Sequence, residues 1–256
     1  MKKIVFFDID GTLLDHDKQL PASTKTAIKQ LQDKGIYVAI ATGRAPFMFE
    51  DIREELGIDS FVSFNGQYVV FENEVIYRNP LKTDQLQLLL DKAKEKEVPL
   101  IFMNEHTLKS SVPYSEHIEE TMGSFALEHP ENDEHFFKGN DIYQSLLYVN
   151  EADLKNYEGI SPDFRYIRWH PICVDVLPEG GSKAAGIQKF IERAGFNIDD
   201  VYAFGDGLND IEMLQTVGTG VAMGNAEKEL LKYADVVTTP VDEDGIMNGL
   251  KKIGLL

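Results

Sequence analysis

The 256-residue sequence has little cysteine and no long apolar runs. Cys173 is its single cysteine, so no disulfide can form within the chain, and a reducing compartment such as the cytoplasm is expected. The early apolar run, Ile4–Phe7, stops at Asp8 and is shorter than the roughly 7–15 residues of a secretory signal. No stretch approaches the ~20 apolar residues of a membrane-spanning helix, so a soluble, cytoplasmic protein is predicted.

Basic residues are also scarce. The 25 lysines and arginines stand against 43 aspartates and glutamates, for a net charge of -18. Nucleic acids and anionic membranes attract proteins through clustered lysine and arginine, so neither is an expected partner. No obligate protein partner is indicated either. A substrate that is itself a phosphate ester would need local neutralisation, by a metal ion and a few well-placed cations.

Apolar runs alternate with helical patterns at both ends of the chain. The run Ile4–Phe7 precedes a helical pattern that ends at Gly35, and a second apolar run follows at residues 36–41. The tail repeats this rhythm over residues 201–253. The alternation predicts an α/β fold, in which both ends of the chain contribute to one doubly wound, Rossmann-like parallel sheet.

Two local signals mark features of the first half. Ser23 and Thr24 are residue types that cap helices, and they are predicted to begin the first one. Asn65-Gly66 lies between the apolar segments 61–64 and 68–71, and it predicts a two-residue hairpin turn.

The middle of the chain has another pattern. An amphipathic helix is predicted over residues 85–97. Strand-like segments prevail after it, at residues 98–103, 143–149, 164–170 and 172–177. Residues 128–140 are polar and weakly patterned, which predicts a loop. Because strands and helices do not alternate regularly here, we predict an α+β domain over residues 81–181, inserted into a core formed by residues 1–80 and 182–256.

Acidic residues follow two of the predicted core strands. Asp8-Ile9-Asp10-Gly11-Thr12 comes after the first strand, and Gly205-Asp206-Gly207-Leu208-Asn209-Asp210 comes after a later one. Open α/β sheets bind ligands beyond the carboxyl ends of their strands, which is where these carboxylates fall. Carboxylates near a core need a compensating cation, and magnesium favours carboxylate and phosphate oxygens. A solvated turn or a helix cap would explain either segment alone, but two such strand ends in one sheet favour a metal site.

Two weaker signals suit an anion site. Thr42-Gly43 supplies a hydroxyl and flexible backbone at a third strand end, although Thr-Gly is also an ordinary turn. Lys183 begins a helical pattern after Gly180-Gly181-Ser182, where its charge opposes the helix dipole and gains little structurally. A phosphate-binding lysine and a solvated lysine both fit this position.

Together these segments resemble the four motifs of the haloacid dehalogenase superfamily of aspartyl phosphatases. Residues 8–12 are similar to the first motif, Thr42 to the second, Lys183 to the third and residues 206–210 to the fourth, in the same order. The long interval between Thr42 and Lys183 has room for a cap domain, as in the Cof-type branch. Ala184 departs from the glycine that is more usual there, and no site role depends on it.

The resemblance implies a site and a mechanism. Asp8 would be the nucleophile that forms an aspartyl-phosphate, and Asp10 the acid and base that serves the leaving group and then water. Mg²⁺ is the implied cofactor, with the implied ligand set Asp8, Asp10, Asp206 and Asp210. Phosphoryl oxygens would be held by Ile9, Thr42, Gly43, Lys183 and Asn209. The implied substrate is a small phosphorylated metabolite, either a sugar phosphate or a phosphorylated cofactor.

Two rival interpretations deserve comparison with this one. A receiver module, which is a phosphorylated switch, also gathers aspartates, a threonine and a lysine around magnesium, but its phosphorylated aspartate lies mid-domain. A phosphomutase of the same superfamily is the nearer rival, and phosphate release against hexose-phosphate isomerisation would separate the two. Arg44 fits a phosphate ligand and a surface position equally well. The six histidines have no metal-ligand spacing, and Cys173 is interpreted as a small hydrophobic residue.

Overall fold

The computed structural model describes residues 2–256, which form thirteen strands and eight helices. The strands are β1 (Ile4–Phe7), β2 (Tyr37–Ala41), β3 (Phe61–Ser63), β4 (Tyr68–Phe71), β5 (Glu74–Arg78), β6 (Leu100–Met103), β7 (Leu108–Ser110), β8 (Gln144–Leu147), β9 (Phe164–His170), β10 (Cys173–Pro178), β11 (Val201–Gly205), β12 (Thr219–Ala222) and β13 (Val236–Val237). The helices are α1 (Ala22–Asp33), α2 (Glu50–Leu56), α3 (Thr83–Glu95), α4 (Glu116–Gly123), α5 (Glu151–Leu154), α6 (Lys183–Ala194), α7 (Ile211–Thr216) and α8 (Gly245–Lys252). Among the helices of this described part, none combines the length and apolar character that crossing a membrane requires.

Eight strands form the sheet of the first compact unit, which comprises the chain up to Arg44, Glu50–Arg78 and Ser182–Leu256. Their order is β13-β12-β11-β1-β2-β3-β4-β5, with parallel pairing from β13 to β3 and antiparallel pairing from β3 to β5. β1 lies between β2 and β11, and all of its residues are buried. A strand covered on both faces is apolar throughout, which explains the continuous run Ile4–Phe7. The predicted α/β core with a parallel sheet is confirmed.

Helices cover both faces of this sheet. Phe6 and Phe7 point to opposite faces because successive side chains alternate along a strand. Phe6 packs edge-to-face on Phe190 of α6, with ring centroids 5.1 Å apart. Phe7 packs on Phe204, and a Cβ added to Gly249 of α8 would stand 2.5 Å from the Phe204 ring. The two ends of the chain therefore wind around one sheet, as the alternating sequence pattern predicts.

The predicted start of the first helix is wrong. α1 begins at Ala22, its N-cap residue is Pro21, and no side chain caps it. Ser23 and Thr24 therefore lie inside the first turn. Proline fixes a backbone angle that suits a helix start, so the helix begins before the two residues whose side chains could have capped it.

The hairpin at Asn65-Gly66 exists, but its turn differs from the prediction. β3 and β4 are antiparallel and Ser63 is paired with Tyr68, so four residues connect the strands instead of two. Phe64 also takes a positive φ, which local sequence preference would not predict. β5, which extends this antiparallel part of the sheet, was missed because its residues are largely exposed and weakly patterned.

The second unit comprises Ala45–Phe49 and Asn79–Gly181 and has its own five-stranded sheet. The strand order is β7-β6-β8-β10-β9, and every pairing is antiparallel. Leu86, Leu89 and Leu90 of α3 pack in one hydrophobic core with residues of this sheet. The predicted α+β character is confirmed, although β7, α4 and α5 were not predicted. The role of this region as a cap domain over residues 81–181 stays a prediction.

The sheet of the second unit contains a buried carboxyl group. Asp175 on β10 is 8% exposed and accepts a hydrogen bond from Gln144 Nε2 of β8 at 2.9 Å. Burial raises the pKa of Asp175 to about 8, although Trp169 and Gln144 favour its charged form. The folded protein therefore keeps this carboxyl largely protonated at neutral pH.

Candidate active site

Three neighbouring strands of the first unit bring the predicted site segments to one edge of the sheet. Phe7 of β1 is level with Phe204 of β11 and with Ile40 of β2. Asp8 therefore follows β1 beside the ends of the strands that lead to the second and fourth motif-like segments. β2 and β11 flank β1 on opposite sides, which makes this edge a topological switch point. Open α/β sheets bind their ligands at such points.

Three carboxylates converge at this edge. One oxygen from each of Asp8, Asp206 and Asp210 lies within 4.8 Å of the others. Burial raises the pKa of Asp8 to about 7, where Lys183 opposes the rise and Asp210 and Asp206 add to it. Burial and the Asp210 carboxylate also raise the pKa of Asp206 to about 6. Burial is thus the main cause of both raised pKa values, and the neighbouring carboxylates add to it.

Lys183 is the cation of this cluster. It begins α6, where the hydroxyl of the N-cap residue Ser182 accepts a hydrogen bond from the Ala185 amide at 3.2 Å. Its side chain is fully buried, and its Nζ lies 2.5 Å from Asp8 Oδ1 and 2.7 Å from Asp210 Oδ1. Burial alone would lower the pKa of Lys183, but Asp210 and Asp8 hold it above its usual value. The lysine is thus a fixed buried charge and not a solvated one.

Asp210 supports both the lysine and the loop that precedes α7. Its second oxygen, Oδ2, accepts hydrogen bonds from the backbone amides of Asp206 and Gly207, each at 3.0 Å. Gly205 permits this approach, because a Cβ there would stand 2.6 Å from the carboxyl carbon of Asp210. Both oxygens of Asp210 are engaged within the protein, so its carboxylate positions Lys183 and the loop.

Asp10 is bound by two cations. Arg44 donates to both carboxylate oxygens, from Nε to Oδ2 at 2.9 Å and from Nη2 to Oδ1 at 2.6 Å. Lys18 Nζ lies 2.5 Å from Oδ1 as well. Burial alone would raise the pKa of Asp10, but Arg44 and Lys18 hold it below its usual value. Asp10 is therefore an ion-paired carboxylate, and Arg44 lies in the site with only 14% of its side chain exposed.

Gly11 and Thr12 join the first segment to the fourth. Thr12 Oγ1 donates to Asp206 Oδ1 at 3.0 Å. Gly11 has a φ of 78°, and a Cβ there would stand 2.2 Å from Asp206 Oδ2, so a side chain would displace that carboxylate. Sequence reasoning missed the roles of Thr12 and Lys18. The Asp-Gly-Thr segment could have pointed to Thr12, whereas Lys18 carries no sequence signal.

Backbone and hydroxyl donors lie beside this cluster. Thr42 is buried, and its hydroxyl accepts a hydrogen bond from the Arg44 amide at 3.1 Å, which leaves the hydroxyl proton available. Within residues 2–256, the backbone amides of Ile9 and Gly43 have no hydrogen-bond acceptor. Amides at strand ends that lack protein partners can bind the oxygens of an anion.

Asn209 is set apart from the other predicted site residues. It lies in a short 3₁₀ turn, Leu208–Asp210, and it is exposed. No hydrogen bond joins its side chain to the acidic cluster in the described part of the chain. Its part in phosphate binding stays a prediction. Elsewhere in residues 2–256, no three histidine, cysteine, aspartate or glutamate side chains converge as closely as the acidic cluster does.

The cluster fits a divalent cation of the magnesium type. Its donors are carboxylate oxygens, the hard ligands that Mg²⁺ prefers in proteins. Lys183 brings one positive charge to three carboxyl groups, of which Asp8 and Asp210 are buried and Asp206 is half-buried. A cation bound beside Asp8 and Asp206 would relieve their repulsion, while Asp210 is already engaged by Lys183 and two amides.

Comparisons with known proteins agree with this geometry. A family model of haloacid dehalogenase-like hydrolases matches residues 5–250. YkrA of Bacillus subtilis (strain 168) is 53% identical over 254 residues, which cover 99% of this chain and 98% of YkrA. YcsE of the same organism, a 5-amino-6-(5-phospho-D-ribitylamino)uracil phosphatase, is 29% identical over 252 residues, or 97% of this chain and 94% of YcsE.

A solved structure gives the same result. BT4131 is a sugar phosphatase of subclass IIB in the same superfamily, and its sequence is 31% identical to that of this chain. Its structure matches this one with a TM-score of 0.87, and the match covers 100% of each chain. The chain therefore belongs to the haloacid dehalogenase-like hydrolase family. Within that family it is an enzyme of the phosphatase class, in the Cof-type branch that its sequence resembles.

Proposed function

We propose that this protein hydrolyses phosphate monoesters of small metabolites, with Mg²⁺ as cofactor and an aspartyl-phosphate on Asp8 as intermediate. The observation that carries the proposal is the contact of buried Lys183 with Asp8 and Asp210 at the switch point of the sheet. A buried charge is costly unless it is paired, and this one stands beside the carboxylate that is proposed to react. It provides fixed positive potential where phosphoryl charge would develop.

The first step is transfer of the phosphoryl group to Asp8. A carboxylate oxygen of Asp8 attacks phosphorus, and the bond between phosphorus and the ester oxygen breaks. The departing oxygen takes a proton from Asp10. In the second step, water attacks the phosphorus of the aspartyl-phosphate, the bond between phosphorus and the Asp8 oxygen breaks, and the proton of the water goes to Asp10. Inorganic phosphate leaves, and both carboxyl groups return to their starting states.

The ion pairs of Asp10 constrain this role. A general acid must carry a proton, whereas Arg44 and Lys18 favour the charged form of Asp10. Substrate binding therefore has to loosen these ion pairs so that Asp10 takes up a proton from solvent before the leaving group departs. The phosphate of the substrate is itself an anion that competes for both cations, which gives a reason for the exchange.

The remaining site residues are proposed to hold metal and phosphate. Mg²⁺ would be held by the carboxylates of Asp8 and Asp206 and the backbone carbonyl of Asp10, with Asp210 in a supporting position. When bound, it neutralises the charges of carboxylate and phosphate that would otherwise repel each other. Phosphoryl oxygens would be held by a set of five donors: Ile9, Thr42, Gly43, Lys183 and Asn209.

The inserted region, residues 81–181, is proposed to act as a cap that selects the substrate. Its support is its place in the sequence, between Thr42 and Lys183, and its separate sheet. The relatives include a sugar phosphatase and a phosphatase of a ribitylaminouracil phosphate. We therefore infer a sugar phosphate or a phosphorylated cofactor-type compound as the substrate, in a cytoplasmic enzyme that needs neither nucleic acid nor membrane.

The test is a screen for phosphate release over sugar phosphates, nucleotides, pyridoxal phosphate and flavin phosphate with Mg²⁺ present. Asp8→Asn should abolish release from the best substrate. Asp33→Asn, which changes an exposed aspartate at the end of α1, should leave it unchanged. If the protein isomerises a hexose phosphate without net release of phosphate, it is a phosphomutase and the proposal is wrong.

A further inference from the structure

A strained, buried loop lies beside the Thr42-Gly43 segment. Phe64, Asn65 and Gly66 are the first three of the four residues that connect β3 to β4, and they have positive φ values, of 51°, 50° and 97°. Left-handed backbone is unfavourable for residues with a Cβ and rare for a bulky one such as Phe64. Strain of this kind persists only where the surrounding structure fixes it, and it is concentrated at functional sites.

Contacts on two sides fix the loop. On one side, the Asn65 backbone amide donates to the Thr42 carbonyl at 3.0 Å. On the other, Gly66 abuts the start of α6, since a Cβ there would stand 2.1 Å from the Ser182 carbonyl oxygen. The loop therefore lies between Thr42 and the start of α6, where Lys183 is located, and both segments are proposed to bind phosphate.

The Asn65 side chain is left without a partner by this arrangement. Asn65 is 5% exposed, its backbone carbonyl accepts a hydrogen bond from Gln67 Nε2, and within residues 2–256 no hydrogen bond is formed by its side-chain amide. A Cβ added to Gly43 would stand 3.0 Å from Asn65 Nδ2 and 3.2 Å from Oδ1, so the amide lies directly against Gly43. The polar atoms of the amide are not among the fully buried ones that lack a partner, so they remain open to a ligand, and an anion bound at the free Gly43 amide would offer an acceptor for Asn65 Nδ2.

We propose that Asn65 Nδ2 donates a hydrogen bond to a phosphoryl oxygen of the substrate held at Thr42 and Gly43, an inference that rests on the proposed function. The donor count supports it. Lys183 has three N–H donors, of which Asp8 and Asp210 already take two. The three non-bridging oxygens of a phosphate monoester accept more hydrogen bonds than the remaining donors supply. Asn65 fills part of that deficit from a position that the strained loop determines.

The test is the affinity for inorganic phosphate, measured by titration calorimetry with Mg²⁺ present. Asn65→Gly removes the side chain but tolerates the left-handed backbone better than asparagine does. Phosphate should bind about 10–100-fold more weakly, the loss expected for one hydrogen bond to a charged group. Asn65→Asp keeps the shape and puts a carboxylate in place of the donor, so it should weaken phosphate at least as much. If Asn65→Gly does not fold, the phosphate affinity of Asn65→Asp still tests the proposal.

The matched control is Asn73→Gly. Asn73 is another asparagine with positive φ, 63°, but it is exposed in the turn between β4 and β5. Its replacement should leave phosphate affinity unchanged. Wild-type affinity in both Asn65 variants, alongside wild-type hydrolysis of p-nitrophenyl phosphate, would overturn the role of Asn65 and leave the proposed function standing. If the wild-type protein binds phosphate through Asn65 but hydrolyses no ester, the proposed function fails and the phosphate contact stands.

Discussion

Replacement of Lys183 by methionine probes the buried charges of the site directly. Methionine has a similar length and volume but leaves Asp8 and Asp210 without the cation that they share. Removing one partner of a buried ion pair costs about 3–5 kcal/mol, because the remaining charge stays away from water. Lys183 is fully buried, so solvent does not screen this loss. We expect the free energy of unfolding to fall by about that amount near pH 8.

The loss should be smaller in acid. The pKa of Asp8 is raised to about 7 in the folded protein, so near pH 5.5 this carboxyl is already protonated. A pKa raised on folding means that stability declines as the pH rises toward the folded value. Without Lys183 the pKa of Asp8 rises further. Protonation of Asp8 near pH 5.5 therefore removes its repulsion with Asp210 in the variant, whereas near pH 8 the two unpaired carboxylates repel each other.

The assay is urea unfolding in the presence of a chelator, at both pH values, followed by circular dichroism. Lys189→Met on the same helix is the matched control, since Lys189 is exposed and lies 3.6 Å from Glu192 in a surface pair. Its effect should stay within about 0.5 kcal/mol. Equal losses for the two variants near pH 8 would refute the account of Lys183 as the cation on which Asp8 and Asp210 depend.

Three further outcomes are expected. Asp10→Asn should lower hydrolysis by about 10²–10⁴-fold, because the amide cannot carry the proton, and thermal unfolding should confirm an intact fold; unchanged rates with poor leaving groups would assign the proton elsewhere. Asp175 keeps its proton up to about pH 8 when folded and ionises far lower when unfolded, so wild-type stability should fall between these values by up to ~1.4 kcal/mol per pH unit. The free energy of unfolding of Asp175→Asn, measured in urea near pH 5 and pH 8.5, should not show that fall. An equal fall in the wild type and the variant would contradict this expectation. Removal of metal ions by a chelator should abolish phosphate release. Mg²⁺ should restore it, but Ca²⁺ should restore it poorly because Ca²⁺ prefers more ligands and looser geometry. Full turnover in excess chelator would contradict this dependence on a metal ion.

The centre of the site could be predicted because its parts are local. Asp8 and Asp206 each follow an apolar strand directly, and parallel strands end at the same edge of a sheet. Their convergence thus depends on topology alone, which the alternation of strands and helices already indicates. Lys183 was less certain from sequence, since only the folded chain shows it buried between Asp8 and Asp210.

The rest of the site depends on tertiary contacts that no local pattern reports. Lys18 reaches Asp10 from an irregular loop, and Arg44 reaches it from the neighbouring strand end. The Asn65-Gly66 pair predicts only a hairpin turn, and Asn65 does adopt the left-handed backbone that such turns favour. The contact between Asn65 and Gly43 could not be predicted, because it depends on how the loop packs against α6.

The most direct test of the proposed function is detection of the phosphoryl group on Asp8. The Asp10→Asn variant should be mixed with Mg²⁺ and an aryl phosphate whose leaving group needs no proton, then quenched in acid within milliseconds and digested. Mass spectrometry should find one phosphoryl group on the peptide that contains Asp8, and none in an Asp8→Asn variant treated alike. If the wild-type enzyme is active but no peptide of the Asp10→Asn variant carries phosphate under these conditions, or the phosphoryl group lies on another residue, the account is contradicted.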